Sequence, residues 1–91
     1  MKTIELQKAK IKVTEIQHGN CLGARKAIWV ICSYLDNITV SFQLNVDCPY
    51  RVGDEIILRR VKKVDTLMTG CMYRLKGIVI DNIYRDGKRI Y

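Results

Sequence analysis

Ninety-one residues, 48% hydrophobic and 27% charged, describe one small globular domain and exclude a disordered chain. Sixteen Lys and Arg against nine Asp and Glu leave a net charge of +7, a positive field that draws in polyanions or an acidic protein surface. No apolar run approaches the ~20 residues that cross a bilayer, and the opening MKTIELQKAKIK lacks the apolar centre of a secretory signal, so the expectation is a cytoplasmic protein that does not engage membranes.

Residues 1–7 read as a lead-in without pattern. From Lys8 to Ile16, Ala9, Ile11 and Val13 alternate with Lys8, Lys10, Lys12 and Thr14, the period of a half-buried strand with a lysine-rich outer face. Such a face suits a sheet edge, where charge discourages pairing with other chains. His18 to Lys26, HGNCLGARK, reads as a long loop closed by Arg25 and Lys26. Its glycines permit a phosphate-holding backbone, but the spacing is not that of a P-loop.

The centre of the chain is a hairpin. Ala27 to Leu35 is apolar on both faces, as a strand covered on both sides should be. Asp36-Asn37 makes the turn, and Ile38, Val40, Phe42, Leu44 and Val46 then alternate with Thr39, Ser41, Gln43 and Asn45. Trp29 shares a face with Ile31 and Ser33 and reads most simply as a core residue; a role as a stacking platform stays open. Pro49 lies in a second long loop, Asp47 to Asp54, and ends the strand before it. Glu55 to Val64 follows as a strand carrying Arg59, Arg60, Lys62 and Lys63, the densest charge cluster in the chain.

Asp65 to Gly70 reads as a turn, or as part of a short helical turn through Val64 to Met68. Cys71 to Tyr84 is the last long extended segment, with a bulge or bend expected at Gly77. Asp86-Gly87 is a tight-turn signal that makes residues 83–91 a terminal hairpin. The expected fold is therefore all-β: one domain over 1–91, with residues 8–85 closed into a small five- or six-stranded barrel, OB-like or SH3-like. A small open β-sandwich is the alternative.

Chemistry is sparse. Cys21, Cys32, Cys48 and Cys71 contain no C-x-x-C knuckle, and His18 with Cys21 is the only short metal-ligand spacing, so no metal or other cofactor is expected. Disulfides are disfavoured by a reducing compartment, with Cys21–Cys48 the pairing left open. One His, scattered turn carboxylates and no nucleophile elbow point away from an enzyme.

Nucleic-acid binding needs a basic groove and rings on which bases stack. The candidates are Lys10, Lys12, Arg25, Lys26, Tyr50, Arg51, Arg59, Lys63, Tyr73, Arg74 and Lys76, with Tyr50-Arg51 and Tyr73-Arg74 each setting a ring beside a cation. The leading expectation is a non-catalytic protein that binds single-stranded DNA or RNA. The competing one is an interaction module, an accessory subunit or inhibitor, that docks on an acidic protein or forms a homodimer through a strand edge. In size, β content and basic, tyrosine-bearing segments the chain resembles small single-stranded-DNA-binding barrels at the level of architecture alone.

Overall fold

The computed structural model describes residues 6, 8–21, 25–35, 37–45, 47–66 and 72–91, with the backbone alone at 20, 21, 25, 26 and 66. Among them there is no helix. The strands are β1 (Lys10–Cys21), β2 (Arg25–Tyr34), β3 (Ile38–Leu44), β4 (Glu55–Arg60), β5 (Lys63–Thr66), β6 (Met72–Lys76), β7 (Val79–Arg85) and β8 (Lys88–Arg89). They form a single sheet in the order β5-β6-β3-β2-β1-β4-β7-β8. Every neighbouring pair is antiparallel except β3 with β6.

The fold is all-β, as expected, but the described residues form eight strands rather than five or six. Two expected long strands are each broken. Val61 and Lys62 part β4 from β5, and Gly77 and Ile78 part β6 from β7. Asp65 and Thr66, read from sequence as turn or helix, lie in β5; residues 67–71 fall outside the described residues. The closed barrel is not seen as a ladder, because no pairing joins the β5 edge to the β8 edge among the described residues. The open alternative fits the pairing.

The open sheet is nevertheless strongly rolled. Strands sit about 4.8 Å apart, so five steps from β5 to β4 would span roughly 24 Å in a flat sheet. The chain from Arg60 to Lys63 reaches only about 10 Å. The sheet must therefore curl until the end of β4 meets the start of β5. Lys62 N–H fastens that point by donating to the Lys76 and Gly77 carbonyls, at 3.0 and 3.2 Å.

Rolling encloses one face. Ile11 and Val13 of β1, Val30 and Cys32 of β2, Val40 and Phe42 of β3, Ile56 and Leu58 of β4 and Leu75 of β6 are all buried in a common core. Alternation in β3 is as expected: Ile38, Val40, Phe42 and Leu44 face this core, while Val46 lies outside the described residues. Cys32 is fully buried there, and desolvation pushes its thiol up to about 12. Cys48 is also a free thiol; the side chain of Cys21, the partner left open for it, lies outside the described residues.

Three local expectations are corrected. β1 is not an edge, since it pairs with both β2 and β4. Its lysines are held outward by alternation. His18 to Cys21 and Arg25-Lys26 are not loop but the paired ends of β1 and β2, with Gly19 opposite Ala27 and Asn20 opposite Lys26; residues 22–24 lie outside the described residues. In the central hairpin, Tyr34 pairs with Ile38, which makes a three-residue loop instead of a two-residue one. A positive φ of 57° falls on Leu35; Asp36 lies outside the described residues.

The bend at Gly77 and the turn at Asp86-Gly87 form as expected. Asp86 and Gly87 both take positive φ, 53° and 78°, and close β7 on β8. Gly77 has φ 62°, and a Cβ there would lie 2.5 Å from Lys62 Cβ. A side chain thus meets both the left-handed penalty and the point where the sheet rolls. Gly77→Ala is expected to cost about 2 kcal/mol or more, read as a lower urea midpoint with an unchanged slope. An unchanged midpoint would show that the β6–β7 corner relaxes freely.

Candidate nucleic-acid interface

The face turned away from the core is set by the same alternation that fills it. β2 presents Trp29, Ile31 and Ser33 outward. β3 presents Thr39, Ser41 and Gln43 opposite them. Parallel pairing brings Met72 of β6 beside Thr39 and Arg74 beside Ser41, and β5 adds Asp65 opposite Arg74 and Lys63 opposite Lys76. On the other flank β1 contributes Lys12 opposite Ser33 and Gln17 opposite Trp29. One row therefore runs Glu15, Ile31, Ser41, Arg74, Asp65 across five strands.

At the centre of this face three side chains from three strands touch. The Arg74 guanidinium carbon lies 5.0 Å from the centroid of the Trp29 ring, a cation–π arrangement. The same guanidinium donates from Nη2 to Gln43 Oε1 at 2.9 Å. Arg74 starts on β6 and Trp29 on β2, so the side chain crosses β3, where Gln43 holds it. Ser41, opposite Arg74, is 1% exposed although its strand position points away from the core, and its Oγ has no hydrogen-bond partner among the described residues. Gln43, Arg74 and Lys76 also line a cleft of about 410 Å³ that continues to Phe42, Tyr50 and Ile78.

The cations around the cluster are tethered loosely. Asp65 lies 3.7 Å from Lys63 Nζ and 3.6 Å from Lys76 Nζ, distances at which exposed pairs contribute little and exchange readily with other anions. Lys12 is exposed. The face thus combines an aromatic ring, an amide, a hydroxyl and four cations, three of them close together on β5 and β6.

Of the residues chosen from sequence, Lys63, Arg74 and Lys76 come together here, and Lys12 lies on the same face on β1, opposite Ser33. Others do not. Lys10 reaches Glu55 at 2.9 Å and Arg59 reaches Asp81 at 3.2 Å, both toward β4 and β7. Arg51 is exposed in the turn before β4, where its backbone N–H donates to Asp54 Oδ2 at 2.9 Å. The backbone of Arg25 and Lys26 opens β2, and their side chains lie outside the described residues.

Tyr50 and Tyr73 are corrections. Strand alternation turns Tyr73 toward the core while Arg74 points outward. Tyr50 packs edge-on to Phe42, ring centroids 5.5 Å apart at 85°, and burial raises its phenol above the ordinary value. Neither ring is paired with the cation that follows it. Trp29, read as core, is instead half-buried on the outward face.

Away from this face, the Asp54 carboxylate is 1% exposed and accepts from Arg85 Nε at 2.9 Å and Arg85 Nη2 at 2.8 Å. Those hydrogen bonds hold it below the usual carboxylate range, against the opposing effect of burial. Arg85 Nη2 also donates to the Pro49 carbonyl at 3.1 Å. The cluster joins the loop before β4 to β7 and is structural. No group of three His, Cys, Asp or Glu side chains that could hold a metal occurs among the described residues.

No protein-family model, no curated protein and no solved structure matches the chain.

Proposed function

We propose that this chain is a non-catalytic protein that binds single-stranded nucleic acid on the outward face of β2, β3 and β6. The observation that carries the reading is the Trp29–Arg74–Gln43 cluster at the centre of that face, flanked by Lys12, Lys63 and Lys76. It supplies the ring for base stacking and the cations for phosphates that such proteins combine. The strand path supports it. β1 pairs with β2, β2 with β3, β3 with β6 and β6 with β5, which resumes β4 on its way back to β1. We read this rolled path as OB-like, a class that takes oligonucleotides on the face of its second and third strands. The net charge of +7 favours a polyanion over a neutral ligand.

The second reading, a module that docks on an acidic protein or self-associates, has its own support at the opposite side of the sheet. The β8 edge carries Lys88 and Arg89, and Ile90 and Tyr91 beyond it are 49% and 68% exposed. Salt dependence separates the two. Removing two phosphate contacts with Lys12→Gln and Lys76→Gln is expected to lower the slope of log affinity against log salt by about 1.4 for a single strand. Arg59→Gln, held by Asp81 near β7, should leave the slope in place. A double variant with unchanged slope would take this face out of the interface.

A further inference from the structure

Resting on that reading, we infer that Trp29 is the stacking platform for one nucleobase, covered in the free protein by Arg74, which swings off the ring to a phosphate when the base arrives. Gln43 and Ser41 then meet the base edge.

Three observations converge. Arg74 occupies the ring face at 5.0 Å, the place a stacked base would take. A cation–π contact and a base–aromatic stack are of comparable strength, so the exchange is balanced rather than uphill. Second, the Ser41 hydroxyl, opposite Arg74 in the β3–β6 register, is buried without a hydrogen-bond partner among the described residues. An unsatisfied buried hydroxyl is costly, and a base edge that reaches Ser41 would satisfy it. Third, Arg74 and Gln43 border the 410 Å³ cleft, which leaves open space next to the guanidinium. The amide of Gln43 and the hydroxyl of Ser41 both donate and accept, so they can serve any base edge and predict a sequence-tolerant site.

Trp29 is the sole tryptophan of the chain, and its emission reports on the ring directly. The full chain is titrated with a short oligothymidylate and with an abasic strand of equal length and charge, following both Trp29 emission and the anisotropy of a label on the strand. The expected result is quenching by the base-bearing strand alone, with affinity about tenfold above the abasic strand. Trp29→Leu, which keeps an apolar residue at a half-buried position, should abolish that preference, read by anisotropy. Binding seen by anisotropy with unchanged emission, or equal affinity for the two strands, would overturn the subsite and leave the interface as a phosphate-binding face. Absence of binding to either strand would overturn the nucleic-acid reading itself.

Discussion

Asp54→Ala is expected to lower stability by about 2–3 kcal/mol, because it removes several hydrogen bonds to one buried charge and strands a guanidinium. Asp54 is 1% exposed, and it accepts from Arg85 twice and from the Arg51 backbone once. Its own backbone carbonyl accepts from Val13 N–H at 2.8 Å, so the same residue anchors the turn to β1. For a domain of this size the loss should appear as a melting temperature lower by roughly 10–20 °C. The pH dependence has a fixed sign. The folded carboxyl is held below the ordinary 3.8, so its contribution is complete above that value and is lost as pH falls through the folded one. The stability gap between wild type and Asp54→Asn should therefore narrow as pH drops below 3.8. A gap that stayed constant into acid would mean that Asp54 acts through shape and not charge.

Leu58→Ala should cost more, about 3–4 kcal/mol, the transfer of a buried side chain plus the cavity it leaves. Leu58 is fully buried, its N–H donates to Ala9 carbonyl at 2.8 Å, and it stands opposite Ile80 between two irregularities of the β4–β7 ladder. It sits just before Val61 and Lys62, where the sheet rolls, and a void there has rigid ladders on both sides to stop it collapsing. Urea unfolding measures the loss. Val52, 64% exposed in the turn before β4, provides the contrast: Val52→Ala should stay within about 0.5 kcal/mol. Comparable losses at both positions would contradict the placement of the core.

What could be read from sequence follows from where the signal was local. The alternation of β3 fixed its two faces without any knowledge of partners. Gly77 and Asp86-Gly87 were legible because a bend and a tight turn need left-handed backbone that glycine accepts. The length of β1 was not legible. His18, Gly19 and Asn20 have loop chemistry, and only their pairing with β2 makes them strand.

Trp29 shows how much one residue of register decides. A two-residue turn at Asp36-Asn37 would pair Trp29 with Leu44 and send it into the core. The three-residue loop pairs it with Gln43 and turns it outward. A slip of one residue exchanges the faces of a whole strand, and Ala27 to Cys32, apolar on both faces, offered no pattern to choose between the two. Arg74 was identified for its charge, but its meeting with Trp29 depends on a parallel β3–β6 pairing. The Asp54–Arg85 pair joins residues 31 apart in sequence, and no local pattern announces it. The sheet roll itself came from an interruption at Val61 and Lys62 that looks, in sequence, like the middle of a charged strand.

On the proposed reading, single strands bind the β2–β3–β6 face by stacking as well as by charge. Fluorescence anisotropy of labelled single-stranded and duplex oligonucleotides, each titrated with the protein at low and at physiological salt, tests it most directly. Micromolar or tighter single-strand binding that persists at physiological salt and exceeds duplex binding is the expected result. Binding confined to low salt and equal for single strand and duplex would be the generic attraction of a basic protein for a polyanion, and would contradict the claim.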